Sequence, residues 1–179
     1  MSLRFRRVEI PGVIVVEPHV HRDARGFFLE IFHSRKYRDS GVDAAFVQAN
    51  HSRSTRGTLR GLHGQRQKPQ GKLVRALSGE VFDVAVDLKT GQHAAVTLSG
   101  DNFRQLWVPP GYLHGFCVLS ETAEIEYLCT ELYDPADEIG ARWNSAGIDW
   151  PMKEPLLSAK DAALPSLAEL RKLLFGVQP

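Results

Sequence analysis

Sulfur is scarce in this chain: two cysteines and two methionines among 179 residues. Cys117 and Cys129 sit in apolar, β-rich stretches without the spacing of a metal site, so two buried free thiols in a reducing compartment are expected. An excess of charge is lacking too. Lys and Arg number 22 against 21 Asp and Glu, which gives nucleic acid or a membrane surface no broad basic face. A small anionic ligand remains compatible, because its site needs only a few local cations. The longest apolar run near the start, Val13 to Val16, is too short for an export signal or a membrane-spanning helix, and a cytoplasmic location is expected. Repeats, low-complexity tracts and linkers are missing as well, which predicts a single domain over residues 1–179.

What the chain does contain is short strands. Val81-Phe82-Asp83-Val84-Ala85-Val86-Asp87 sends Phe82, Val84 and Val86 to one face and Val81, Asp83, Ala85 and Asp87 to the other. Ser78-Gly79 supplies a turn before it. Further strands are expected over 27–32, 46–52, 58–65, 72–77, 94–98, 104–108, 115–119 and 125–130, punctuated by Gly, Pro, Asn and Asp. So many short strands predict an all-β sandwich or barrel. Helix is expected only near the end, where Leu167, Leu170 and Leu174 recur on one face and Gly176 supplies a stop.

Two glycine- and histidine-bearing segments are the most informative. Gly57-Thr58-Leu59-Arg60-Gly61-Leu62-His63-Gly64-Gln65, running on through Gln70 to Gly79, resembles the first cupin motif. Pro109-Pro110-Gly111-Tyr112-Leu113-His114 resembles the second. Where a metallocupin places a second His and a Glu, this sequence has Gln65 and Gln70, whose neutral amides are poor ligands for a divalent ion. The pocket is therefore expected to hold no metal and no cofactor.

Other segments make the resemblance specific. They are Arg25-Gly26-Phe27-Phe28-Leu29-Glu30, Phe46-Val47-Gln48-Ala49-Asn50-His51-Ser52, Leu59-Arg60-Gly61-Leu62-His63 and Gln70-Gly71-Lys72-Leu73-Val74. After these come the Gly79–Asp87 strand, Arg104-Gln105-Leu106-Trp107-Val108-Pro109, His114-Gly115-Phe116 and Leu157-Ser158-Ala159-Lys160-Asp161-Ala162-Ala163. In this order, from about Pro11 to Pro165, the chain resembles the dTDP-4-dehydrorhamnose 3,5-epimerase family. The resemblance implies a cupin-type jelly-roll β-barrel with short flanking helices and a C-terminal helix.

It also implies proton exchange at C3 and C5, the carbons flanking the C4 ketone of a dTDP-4-keto-6-deoxyhexose. That reaction needs a base on one face, an acid on the other and a donor or cation at the ketone oxygen. By the resemblance His63 is the base, Asp161 orients it, Lys72 stabilises the enolate and Tyr127 is the acid, with Asp83 supporting the network. Substrate binding falls to Arg25, Glu30, Gln48, Asn50, Arg60, His114 and Lys160, with Tyr133 and Trp143 against the thymidine or the sugar. The segment carrying Arg25 and Glu30 is expected to reach the partner's site in a homodimer.

Read singly, several of these residues have plainer explanations. An isolated His63 is more often a hydrogen-bonded core histidine, Lys72 a solvated edge lysine and Tyr127 a half-buried strand tyrosine. Strict alternation puts Arg60 and His63 on opposite faces, so both line one site only if Gly61 marks a bulge or the site lies at a barrel mouth. Gly64 and His21 replace aromatics common in the family, which is expected to widen the sugar pocket or alter stacking on the base. Three other readings stay open: an epimerase acting at one carbon only, a metal-dependent cupin, and a cupin that binds sugar without turnover.

Overall fold

Glycine and proline interrupt the alternating pattern often enough to cut the chain into short antiparallel strands. The computed structural model describes residues 2–176. It begins with β1 (Leu3–Arg7) and β2 (Ile14–Pro18), then a small hairpin of β3 (His21–Asp23) and β4 (Gly26–Phe28), and a helix α1 (Ser34–Asp39). The barrel strands follow: β5 (Gln48–Thr55), β6 (Leu59–Gln65), β7 (Lys72–Ser78), β8 (Glu80–Asp87), β9 (His93–Ser99), β10 (Gln105–Val108), β11 (Tyr112–Val118) and β12 (Thr122–Cys129). A short β13 (Glu138–Gly140), a 3₁₀ turn over Trp143–Ser145, α2 (Ala159–Ala162) and α3 (Leu167–Phe175) complete the order.

The strands form two facing sheets. One runs β1-β2-β10-β7-β12-β5 and the other β13-β6-β11-β8-β9. This is the jelly roll that the family resemblance implies. Between the sheets lies an apolar core that includes Val15, Val74, Val81, Leu98, Leu106, Phe116 and Ile125. Each sheet is also covered outside. Val84, Val86 and Leu113 pack under Leu167, Leu170 and Trp150, while Ile14, Val16, Leu73 and Trp107 pack under Tyr37 and Val42. Burial on both faces explains why Val13–Val16 and Val84–Val86 read as continuous apolar runs rather than strict alternation.

The helix at the end forms as expected. Ser166 and Glu169 close a reciprocal cap at its start, and Gly176 turns left-handed at its stop, with φ 68°. The stretch 27–32 differs from the expected strand. It pairs only as far as Phe28, within an exposed two-stranded hairpin, and Phe32 then turns in to pack on Tyr37 and Phe46. The strands β1 and β13 and the helix α1 carry no signal in the sequence reading. Each is short, and each is fixed by pairing or packing with distant residues.

The pairing of β6 with β11 has an irregular step. His63 faces His114 and Arg60 faces Phe116, so two residues of β6, Gly61 and Leu62, stand opposite the single Gly115. This is the bulge that lets Arg60 and His63 share a face. Gly61 has φ 126°, and a Cβ there would lie 2.6 Å from the Gly115 Cα and 2.8 Å from the His114 carbonyl oxygen. Gly61→Ala is therefore expected to lower stability by about 2 kcal/mol, a fall of roughly 4–8 °C in Tm for a chain of this size. An unchanged melting curve would show that the bulge relaxes around a methyl group.

Candidate active site

His63 and His114 are neighbours on adjacent strands of one sheet; Lys72 and Tyr127 lie on β7 and β12 of the other. All four line one cavity of about 500 Å³, together with Arg60, Ser52, Glu138, Ser158, Lys160 and Asp161. A second space of about 280 Å³ adjoins it and shares His63, Lys72, Tyr127 and Glu138, adding Gln48, Asn50, Gln70 and Tyr133. A ligand held between the sheets thus meets His63 from one side and Lys72 and Tyr127 from the other.

Asp161 belongs to no strand, yet its carboxylate lies 2.6 Å from His63 Nε2. The short α2 brings it there, with Ser158 as N-cap accepting the Asp161 N–H. Burial would raise the Asp161 carboxyl, but the hydrogen bond and charge of His63, with further bonds from Ser158 and the Gly61 N–H, hold it below the usual carboxylate range. An ionised Asp161 accepts the Nε2–H, which leaves Nδ1 with the lone pair and makes it the basic nitrogen. The arrangement is a carboxylate–imidazole dyad.

Lys72 is 9% exposed. Its ammonium makes one long hydrogen bond, 3.5 Å to the His63 carbonyl oxygen, and pairs with no carboxylate among the described residues. Burial pushes its pKa down, against opposing pulls from Cys129, Glu138 and Asp83. An unpaired buried cation aimed into a cavity is poised for an oxyanion that the apoprotein does not supply. Burial pushes the Tyr127 phenol up, so it stays protonated at neutral pH as a proton donor must.

Asp83 is fully buried and grips His114, whose Nε2 lies 2.9 and 3.0 Å from its two carboxylate oxygens. Asp83 therefore braces His114 rather than touching His63 or Lys72 through a hydrogen bond. Arg60 Nε donates to Ser54 Oγ at 3.1 Å. In the second space Gln48 donates to Asn50 Oδ1 and accepts the Tyr133 N–H.

Some residues stand elsewhere. Arg25 sits at the exposed hairpin tip, ion-paired to Asp23, and Glu30 pairs with Lys36; neither lines the two cavities. Trp143 also lies outside them. It packs edge-on to Trp150 in the outer apolar layer and accepts the Trp150 Nε1–H at its carbonyl. Gly64 borders the second space, but a Cβ there would meet Leu113 Cδ2 and the Tyr112 carbonyl oxygen at 3.1 Å. Its missing side chain is thus directed at the outer layer, and the expected widening of the sugar pocket does not follow. Gln65 and Gln70 brace loops: their amides donate to the carbonyls of Lys68, Leu132 and Glu131.

Glu138 is the member that the sequence reading missed. It borders both cavities, accepts the Tyr133 hydroxyl at 2.8 Å and pairs with Lys160. Burial favours its neutral form, but Lys160, Tyr133 and His63 outweigh that and hold it below the usual range. The only signal was an acidic residue in Asp134-Pro135-Ala136-Asp137-Glu138, which reads as a solvated loop.

Comparison with known proteins gives this site its family. The sequence profile described as dTDP-4-dehydrorhamnose 3,5-epimerase matches residues 7–169. The chain belongs to that family. Its relatives include the dTDP-4-dehydrorhamnose 3,5-epimerase of Pseudomonas aeruginosa, 50% identical over 168 residues that cover 89% of this chain and 93% of that one. A Legionella pneumophila dTDP-6-deoxy-D-glucose-3,5-epimerase, solved in complex with dTDP-4-keto-L-rhamnose, superposes with a TM-score of 0.89 at 44% identity and covers 93% of each chain. A 3′-monoepimerase from Streptomyces bikiniensis, in complex with dTDP-quinovose, superposes with a TM-score of 0.87 at 32% identity and covers 93% of this chain and 89% of that one.

Two outcomes follow from the epimerase-family site. Asp161→Asn is expected to lower turnover by about 10²–10⁴-fold, because an amide cannot charge the imidazole or fix its tautomer. A depressed folded pKa contributes stability above the ordinary carboxylate range and loses it as pH falls through the depressed value. The acid limb of stability against pH should therefore flatten in Asp161→Asn, and an identical limb would remove Asp161 as a charged partner. Lys72→Met should abolish turnover yet raise Tm by a few degrees near neutrality, since about 1 kcal/mol or more of unpaired-charge burial disappears. A lower Tm would mean that the ammonium is well paired.

Proposed function

We propose that the chain is a dTDP-4-dehydrorhamnose 3,5-epimerase that inverts dTDP-4-dehydro-6-deoxy-D-glucose at C3 and C5, without metal or cofactor, as a step towards dTDP-L-rhamnose. The observation that carries the reading is His63 on one sheet, paired with Asp161 of α2, facing Lys72 and Tyr127 on the other sheet. His63 Nδ1 takes the proton from the carbon beside the C4 ketone, and the electron pair moves to the ketone oxygen. Lys72, with His114 beside it, meets the enolate oxygen. Tyr127 returns a proton to the opposite face, which inverts the centre, and solvent restores both side chains. The second carbon follows by the same steps after the ring turns.

Arg60 and Lys160 supply cations for the diphosphate. Glu138 holds Lys160 and Tyr133 at the rim until substrate arrives. In this reading the chain is a cytoplasmic homodimer, and the hairpin with Arg25, followed by Glu30, enters the partner's site. Arg25, Glu30, Phe27 and Phe28 stand clear of their own cavity, which supports this role. Among the described residues no helix is long and apolar enough to cross a membrane.

A second reading, inversion at one carbon only, is raised by the likeness to the monoepimerase, which shares this fold. Proton NMR of dTDP-4-keto-6-deoxyglucose with the protein in D₂O separates the two. Deuterium at both C3 and C5 is expected. Entry at one carbon selects the monoepimerase, and no entry at either contradicts proton exchange on this sugar.

A further inference from the structure

The hairpin of β3 and β4 projects from the barrel with all six strand residues exposed. Phe27 and Phe28 are 55% and 60% exposed. At its tip the carboxylate of Asp23 accepts from both the backbone N–H and the guanidinium of Arg25. The tip is therefore ordered from within. What fixes the hairpin against the barrel is a separate contact.

That contact centres on Phe103, in the loop between β9 and β10. Its ring meets Phe27 edge-on, with centroids 4.8 Å apart, and the guanidinium of Arg22 lies 5.4 Å from the Phe103 ring and 5.9 Å from the Phe27 ring. Arg22 and Phe27 are cross-strand partners, so one peg engages both strands of the hairpin. Phe103 also has φ 54°, a left-handed conformation unusual for an aromatic residue. The loop imposes it. The Asn102 side chain accepts from the Ser99 and Arg104 N–H groups and donates to the Thr97 carbonyl, while the Phe103 N–H donates to the Ser99 carbonyl. Arg104 pairs with Glu17 on β2, the strand that leads into the hairpin. A rigid loop thus holds an aromatic ring in a strained conformation against an exposed arm.

We propose that Phe103 is a positioning residue: through Arg22 and Phe27 it sets where the arm delivers Arg25 to the sugar nucleotide. The proposal rests on the reading of Arg25 as a substrate-binding residue. Phe103 touches neither cavity, so its loss should weaken substrate capture and leave the proton-transfer step unaltered.

The test compares Phe103→Asn, which tolerates the left-handed backbone but removes the ring, with Phe103→Tyr, which restores it. Trypsin cleavage after Arg22 or Arg25 reports the arm without reference to activity. It is expected to quicken about tenfold in Phe103→Asn and to return to the wild-type rate in Phe103→Tyr. For epimerisation, KM should rise about tenfold with kcat unchanged, and Phe103→Asn should add nothing further in an Arg25→Gln background. Unchanged proteolysis, an unchanged KM, a fall in kcat instead, or an effect that multiplies that of Arg25→Gln would each overturn the proposal. Failure of the underlying reading looks different: wild-type protein would not turn over the sugar nucleotide, or Arg25→Gln would keep the wild-type KM. In the latter case Phe103 has no route to substrate through Arg25, and the proposal falls with it.

Discussion

The contact on which the site depends is one of backbone with backbone, where Gly61 of β6 lies against Gly115 of β11. A Cβ on Gly61 would strike the Gly115 Cα, and one on Gly115 would come within 2.8 Å of the Arg60 carbonyl oxygen. Two residues of β6 crowd opposite one of β11 only because neither glycine carries a side chain. The extra residue shifts the facing of the strand by one position. Arg60 then joins His63 at the cavity, where a regular ladder would send it outside. The Gly61 backbone also helps hold the Asp161 carboxyl below the usual carboxylate range, beside His63.

Around that irregularity the barrel supplies rigidity and opposition. Both sheets are buried on both faces, so strands that carry chemical groups cannot shift without disturbing a packed layer. His63 and His114 are fixed from one sheet and Lys72 and Tyr127 from the other. The two-sided architecture thereby sets an imidazole and a phenol on opposite sides of whatever lies between. The carboxylates have a divided task. Asp161 holds His63 and Asp83 holds His114, while Lys72 has no carboxylate partner among the described residues. A carboxylate on Lys72 would offset the cost of burying its ammonium and leave less of its charge for an anionic ligand.

Much of this was legible in the sequence. The strands from β5 to β12 follow from alternation and from their turn residues, and the C-terminal helix from its leucine spacing and terminal glycine. The opposing placement of Asp83 and Val84 was also readable, since the two faces of β8 pack against different layers. Other features depend on distant partners. Asp161 is remote in sequence from His63, and four residues of helix give no periodicity to read. Glu138 is one acid in a polar loop until β13 pairs with β6. The conflict between Arg60 and His63 is visible in the sequence as a failure of alternation, which either a bulge at Gly61 or a barrel-mouth site would resolve, and the structure has the bulge.

Gly64 shows the limit of reasoning from residue type alone. It adjoins His63, so a small residue there suggests more room for a sugar. Alternation argues the reverse, because the residue after an inward-facing histidine faces out. The structure follows alternation: the space beside Gly64 belongs to Leu113, Tyr112 and Ile139. Phe103 is the converse case. Its neighbours Asp101 and Asn102 mark a turn, and an aromatic beside them reads as an incidental surface residue. Only the hydrogen bonds that force its backbone left-handed, and the hairpin that they aim its ring towards, give it a place in the geometry. In both cases a residue's meaning comes from direction. Direction is set locally by strand parity at Gly64 and by the Asn102 turn at Phe103.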